Sequence, residues 1–392
     1  MDIAIVHPFD PWGEKAGGVE TLVRLMLAHA PQNANVSVIG VSEDVSARPC
    51  ERWLALDWNG RPISFYGLFH EGDANRRKRV PLSFRFAWAL RSVRFEMNDA
   101  LCIYHRPEPL AMGRIQGRRN VLAFHSDPNQ WVSAASEVKW KHAPWLYRLV
   151  EARAVAKADA LLGVNAVCVE TLQERYPRRA GDIRRVPTTY RDDIFSPILS
   201  QQREDLRSRL AGEYQLNPNA KWVLFAGRLE AQKDPLLALE SFARAKQSAQ
   251  DVALQLIIIG QGSLVDALKR KAFEMKISDS VFLLGTQRQP CVADWMRAAD
   301  VFLMTSAFEG FPIALLEAYA CGLAAVASDA GDVSEVLQHG KSGEVVYQQN
   351  ADDYAAALLR VLAMERESTA AQCVAAVGPY RPESVIQQWL QI

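Results

Sequence analysis

The sequence predicts an α/β protein made of two parallel-sheet domains. Three observations carry that expectation. Short apolar strands alternate with helical stretches along the whole chain, the pattern that parallel sheets covered by helices produce. The alternation halts in a polar stretch from Val186 to Asn219, which holds Pro187, Pro197 and Pro218, and then restarts. The chain's 392 residues are enough for two complete cores.

In the first half, strands are expected near Ile3–Val6, Val36–Val41, Ala100–Tyr104, Val121–Phe124 and Ala160–Val164. Helices are expected between them, near 18–30, 83–95, 137–158 and 166–176. The second half repeats the pattern with Trp222–Ala226, Leu254–Ile259, Val281–Leu284, Val301–Met304 and Ala324–Ala327. The expected division is a first domain over 1–187, a linker over 188–218, a second domain over 219–378 and a terminal helix within 379–392.

Composition places the chain among ordinary soluble proteins, with 49% apolar and 23% charged residues. Net charge is zero but unevenly spread. Residues 1–190 carry 26 Lys+Arg against 20 Asp+Glu, and the remainder 19 against 25, giving +6 and −6. A basic first half suits an anionic partner or surface. Six dispersed cysteines form no C-x-x-C pair, which reads as reduced thiols and not as a disulfide or zinc framework. The sequence begins directly on a strand and has no apolar run of about 18 residues. The expectation is a cytoplasmic protein, peripheral on the inner face of a membrane if it touches one.

The most informative stretch is Ala307–Glu335. It opens on Glu309, Gly310, Phe311 and Pro312, and a helix is expected from about Pro312 to Cys321. Proline suits a first helical turn and Gly322 supplies a stop. The backbone from Gly310 through Phe311 and Pro312 to Ile313 then forms a helix N-terminus, which favours an anion such as a diphosphate. Glu317 lies eight residues beyond Glu309, among Ile313, Ala314, Leu315, Leu316 and Ala318. A carboxylate in so apolar a helix costs free energy unless a partner accepts it, and the two hydroxyls of a ribose would. Two isolated glutamates would read as a solvated loop acid and a half-exposed helix acid. The intervening Gly-Phe-Pro and the small residues that follow argue against that.

This stretch resembles the signature of retaining nucleotide-sugar glycosyltransferases of family 4. Their E-x7-E motif matches Glu309 and Glu317, and their small-residue donor loop matches Asp329–Glu335. The resemblance implies two Rossmann-like domains facing each other across a cleft (the GT-B architecture), with the terminal helix crossing back to the first domain. It is dense from 223 to 345 and thin in the first half, where acceptor choice resides.

The remaining candidates follow in chain order. Gly17 and Gly18 lie between the first strand and a helix, where paired glycines allow a backbone to approach a ligand. The resemblance implies a loop there that reaches toward the donor. Residues 74–95 hold Arg76, Arg77, Lys78, Arg79, Arg85, Arg91 and Arg94, no acid, and interleaved Phe84, Trp88, Val93 and Phe95. Such a stretch fits an anionic membrane surface, chiefly over 76–94, or equally a domain helix packed on its apolar face. No nucleic-acid-binding motif accompanies it, so nucleic acid is not expected.

His125 ends a strand at the edge where open parallel sheets bind ligands. A lone histidine is more often structural, and the resemblance implies one here close to the reacting sugar. His105, ending the preceding strand, is the rival. After the last strand of the first half the family's Pro-Asn-Gly turn is replaced by Pro187-Thr188-Thr189-Tyr190, so the hinge differs locally. In the second half, Val223 to Ala226 leads into Gly227-Arg228-Leu229 and then Lys233, which resembles the family's diphosphate grip. Arginine holds phosphate oxygens bidentately and lysine acts as a point charge. Gly260 and Gly262 follow the next strand, and Gly285 and Thr286 stand where the family holds the base.

The implied reaction moves a glycosyl group from a nucleotide diphosphate sugar, GDP-mannose or a UDP-hexose, to a hydroxyl of a glycan or lipid-linked acceptor. Configuration at the anomeric carbon is retained. Arg228 and Lys233 would carry the diphosphate, Glu309 the donor sugar, Glu317 the ribose, and His125 the reacting face or the acceptor. No D-x-D triplet is present to hold a divalent ion, so neither metal nor cofactor is expected. Retention through a covalent intermediate needs a nucleophilic carboxylate, and no residue is nominated for it. The resemblance implies front-face attack instead. A non-hydrolysing nucleotide-sugar epimerase and a non-catalytic nucleotide-sugar-binding subunit are the alternatives.

Overall fold

A computed structural model describes residues 1–15, 17–72, 80–132, 143–249 and 251–392. The chain forms two compact units, Met1–Thr188 with Pro382–Ile392, and Thr189–Arg381. Both are α/β with helix-covered sheets.

In the first unit the strands are β1 (Asp2–Val6), β2 (Asn35–Ser42), β3 (Trp53–Trp58), β4 (Arg61–His70), β5 (Arg94–Tyr104), β6 (Arg114–Phe124), β7 (Ala160–Gly163) and β8 (Ile183–Arg185). Their order in the sheet is β3-β4-β2-β1-β5-β6-β7-β8. All neighbours run parallel except β3 and β4, an edge hairpin. The central strands are apolar and buried on both faces, as parallel strands under helices must be. The hairpin turns on Asn59 and Gly60, both at positive φ (51° and 85°), which matches the twist of the flanking strands.

Two expectations change here. The helix expected over 83–95 stops early: it spans Leu82–Ala89, and Arg94 already opens β5. There the backbone of Arg94–Met97 pairs with Arg114–Gly117 of β6, so ladder hydrogen bonds outweigh a helix-like apolar spacing. The basic stretch is therefore not one continuous amphipathic helix. Within it Arg85 meets Glu71 at 2.5 Å and covers the Phe69 ring, so that charge serves the fold. Residues 76–79 lie outside the described part, as do 137–142 of the helix expected over 137–158; its remainder is a helix over Pro144–Lys157.

The second unit has β9 (Lys221–Ala226), β10 (Leu254–Ile259), β11 (Val281–Gly285), β12 (Val301–Met304), β13 (Ala325–Ser328) and β14 (Gly343–Val346). All are parallel, in the order β11-β10-β9-β12-β13-β14. This is the doubly wound order, in which the first strand is flanked by the second and the fourth. The segment 188–218 is not a bare linker. It contains the helix Ser200–Tyr214, which belongs to the second unit. Arg203 reaches Asp300 at 2.9 Å, and Arg207 reaches the same carboxylate at 3.1 Å while lying over the Trp222 ring. Two cations hidden behind otherwise polar helical turns made that segment look like a tether.

The last helix, Pro382–Leu390, belongs to the first unit. No helix among the described residues is long and apolar enough to cross a membrane.

Candidate functional site

Four adjacent strands of the second sheet, β11, β10, β9 and β12, bring their carboxyl ends to one edge. Thr286, Gly260, Arg228 and Glu309 follow those ends respectively. The order reverses between β9 and β12, and a doubly wound sheet opens its ligand crevice at that point. Lys233 and Glu309 meet across it: Lys233 Nζ donates to Glu309 Oε1 at 2.5 Å. Ser306 Oγ donates to the same oxygen at 2.6 Å.

Local chemistry fixes both partners. Thr305 Oγ1 donates to the backbone carbonyls of Lys233 (3.0 Å) and Asp234 (2.8 Å), pinning the turn that carries the lysine. Asp234 then caps the helix Pro235–Ser248 by accepting from Leu237 N at 3.1 Å. Gln232 ties Arg228 to the glutamate loop. Its Oε1 accepts from Arg228 Nη2 at 2.8 Å, its Nε2 donates to Phe308 O at 3.2 Å, and its carbonyl accepts from Ala307 N at 2.8 Å. Sequence reading missed Gln232 and Ser306. Their residue types are commonplace in loops, and only the strand order brings Gln232 against Ala307 and Phe308 of the glutamate loop.

The helix expected from about Pro312 to Cys321 spans Ile313–Ala320. Gly310, Phe311 and Pro312 form the loop before it, with Phe311 buried. Glu317 projects from the helix's half-open side and accepts no hydrogen bond among the described residues. Burial pushes its carboxyl up to about 8, with the Lys233 charge pulling the other way.

Gly260 has φ +143°, and a Cβ there would stand 1.9 Å from Gly227 O. A Cβ on Gly262 would stand 2.3 Å from Leu229 O. The G-x-G therefore lets the β9 and β10 loops pack backbone on backbone. Gly285 accepts from Gly260 N at 2.8 Å, and Thr286 is exposed beside it.

The first unit holds the other candidates. Three neighbouring strands, β1, β5 and β6, each end in a histidine: His7, His105 and His125. His105 Nδ1 and His125 Nε2 are 2.9 Å apart, and the rings of His7 and His105 meet edge to face at 5.7 Å. His105 is enclosed at 1% exposure, whereas His125 keeps partial access to solvent. Burial lowers all three: His7 to about 4, His125 to about 3, and His105 well below its ordinary value, the last also opposed by the His125 charge. All three are neutral at pH 7.

His7 Nε2 lies 3.3 Å from Glu20 Oε1 and, as the Nε2–H tautomer, donates to it. Lys15 Nζ reaches the same oxygen at 2.8 Å. Burial pushes the Glu20 carboxyl up, but the bond from His7 and the Lys15 charge outweigh it and hold it well below the usual range. Gly17 stands over this group, since a Cβ on it would lie 2.3 Å from Glu20 Oε2. Gly18 begins the helix Gly18–His29 that carries Glu20. The loop before it is clamped by Arg24, which donates to the carbonyls of Pro11, Lys15 and Gly13. The sequence reading had not placed His7, Lys15 or Glu20 in the site. A glutamate two residues beyond Gly18, on the helix face it shares with Val23 and Leu27, was the available signal.

Residues 207–376 match the family model described as glycosyl transferases group 1. That segment lies within the second unit and contains Arg228, Lys233, Glu309 and Glu317. A stretch of 151 residues is 33% identical to the D-inositol 3-phosphate glycosyltransferase of Pseudarthrobacter chlorophenolicus, covering 38% of this chain and 36% of that protein. The chain thus spans about a third of that relative's length. Across the whole chain the fold is similar to sucrose-phosphate synthase from Thermosynechococcus elongatus, with TM-score 0.73 and 20% identity, covering 100% of this chain and 97% of that one. Anabaena Alr3699/HepE, in a structure with UDP and glucose, gives TM-score 0.70 at 16% identity, covering 100% and 98%. The group 1 segment therefore sits in a chain with the fold of GT-B glycosyltransferase structures, an α/β protein of two Rossmann-like domains.

Proposed function

We propose that this protein is a retaining glycosyltransferase. It moves a hexose from GDP-mannose or a UDP-hexose to a hydroxyl of a glycan or lipid-linked acceptor, without a metal ion. The observation that carries this reading is the Lys233–Glu309 contact across the switch point of the second sheet, with Glu317 eight residues on. The UDP and glucose in the Anabaena structure favour testing a uridine donor first.

The residues divide the work by charge. Arg228 and Lys233 hold the diphosphate and stabilise the negative charge that grows on it as the glycosidic bond breaks. Lys233 turns from Glu309 to phosphate, which frees the Glu309 carboxylate to accept from donor-sugar hydroxyls. Glu317 meets the two ribose hydroxyls. The acceptor oxygen forms the new bond on the face the diphosphate leaves. Its proton passes to the departing phosphate oxygen, so no protein nucleophile is needed.

The decisive experiment is isothermal titration with GDP, UDP, ADP and their sugar conjugates, with and without magnesium, followed by product analysis. The expected result is binding of one nucleotide without metal, lost in Arg228→Ala, and release of a nucleoside diphosphate with a new glycoside. An epimerised donor, or no binding by any nucleotide, overturns the reading. A strict requirement for magnesium overturns its metal-free part.

The acceptor's place is proposed to be an anionic membrane surface on the cytoplasmic side, in polysaccharide or glycolipid synthesis. In support, Trp88 is 62% exposed with Arg91 stacked on it at 4.9 Å. The helix Pro144–Lys157 exposes Trp145 (70%) and Leu149 (61%) beside Arg148, and its only acid, Glu151, is buried against Arg175. Aromatic and basic side chains without acids suit a headgroup layer. Co-sedimentation with phosphatidylglycerol vesicles but not with phosphatidylcholine ones is expected, and equal recovery with both would sink the idea.

A further inference from the structure

The chain leaves the first unit at Thr188–Thr189 and returns to it at Arg381–Pro382. On each side the outgoing and returning segments are laced together. In the first unit Trp389 Nε1 donates to Pro187 O at 2.9 Å. In the second, Thr189 Oγ1 donates to Tyr380 O at 2.7 Å, and Thr189 is fully buried. The Thr189 hydroxyl serves this crossing, at the position where the resembled family's Pro-Asn-Gly turn has its glycine.

Each returning aromatic also touches a candidate group of its own unit. The Trp389 indole lies 7° from parallel with the His125 imidazole, centroids 5.9 Å apart, and 5.7 Å from the His105 ring. The Tyr380 ring lies 5.5 Å from Phe311, two residues beyond Glu309. Stacking against an indole that is itself fixed by a backbone carbonyl restricts how the imidazole can rotate. Any shift of backbone at Pro187 then reaches His125 through one rigid side chain.

We infer that Trp389 and Tyr380 are positioning residues that tie the two chain crossings to candidate groups within each unit, Trp389 to His125 and Tyr380 to Phe311. Trp389 orients the imidazole, and Tyr380 seats the loop that presents Glu309. The inference rests on the transferase reading for its kinetic consequence, but not for its structural one.

The test compares full-length wild type with Trp389→Phe, Trp389→Leu and Tyr380→Leu. The first readout is proton NMR titration of the histidine rings without any sugar, assigned through His125→Gln. The groups facing His125 are His105, His7, Arg106 and Glu20, and none of them is altered. In Trp389→Leu the His125 titration moves up toward the ordinary histidine range, and Trp389→Phe, which keeps a ring, restores most of the wild-type behaviour. The second readout is turnover. Trp389→Leu lowers kcat roughly ten- to hundredfold with donor KM within about twofold, whereas Tyr380→Leu raises donor KM. An unchanged His125 titration in a folded Trp389→Leu overturns the inference, as does Trp389→Phe behaving like Trp389→Leu in both readouts. Should wild type show no turnover, the transferase reading fails and the NMR titration alone decides the positioning.

Discussion

Lys233 Nζ and Glu309 Oε1 stand 2.5 Å apart, on loops that follow β9 and β12, the two strands between which the second sheet reverses its order. The lysine retains about a fifth of its side-chain surface to solvent and the glutamate less than a tenth. The pair is thus largely buried, and in the proposed function a diphosphate would replace the glutamate as the lysine's charged partner.

Lys233→Ala is expected to lower turnover by about 10²- to 10³-fold, the usual loss when a group stabilising transition-state charge is removed. Glu309→Gln should weaken discrimination among donor sugars more than nucleotide binding. Steady-state kinetics with two donors sharing one base separates these outcomes, and equal loss in both variants for every donor would contradict the division of roles.

Glu317→Gln should make the ligand-free protein more stable and the nucleoside harder to bind. Its carboxyl is raised to about 8 by burial. Between the ordinary carboxylate range and that value the folded protein holds more protons than the unfolded chain, so this group's contribution worsens as pH rises. The variant removes that penalty, for a gain of about 1–2 kcal/mol at pH 8 after allowing for solvent access, and little at pH 4.5. Urea unfolding at both pH values checks the sign.

Acid should destabilise the first unit. His7 and His125 titrate at about 4 and about 3 when folded, and His105 is lowered too. The unfolded chain takes up these protons near pH 6.5, so the histidine contribution is complete above that value and disappears as pH falls through 4 to 3. Glu20, held low by His7 and Lys15, loses its contribution on acidification as well, from below its ordinary value. A loss of several kcal/mol between pH 7 and pH 4.5 is expected. Guanidinium unfolding followed by tryptophan emission tests it, and a flat stability profile would be incompatible with three imidazoles whose folded pKa values are lowered.

Gly260→Ala should cost about 1–3 kcal/mol or more. The new Cβ would meet Gly227 O at 1.9 Å with φ at +143°, so neither space nor backbone accommodates it. Arg228 follows Gly227 directly, and nucleotide affinity should fall with stability. Calorimetric unfolding together with nucleotide titration measures both effects.

Much of the second unit was legible because its strands are short apolar runs between helices. Its candidate residues also lie in tight local patterns: Arg228 and Lys233 are five apart, and Glu309 and Glu317 eight apart. The first unit was less so. The hairpin β3–β4 lies at the sheet edge with alternate residues exposed, and its apolar signal is diluted, although Asn59-Gly60 marks its turn. The helix Ser200–Tyr214 was hidden because its docking relies on Arg203 and Arg207, which read as solvent-facing charges.

By itself the sequence determined the α/β class, the parallel strands and the identity of the charged residues at the strand ends. Those follow from apolar spacing and local turn chemistry, which act over a few residues. Only the tertiary structure decided that Lys233 meets Glu309, that three histidines share one strand edge, and that Trp389 lies flat on His125. Those contacts join residues tens to hundreds of positions apart, and their geometry depends on strand order, which no local pattern encodes.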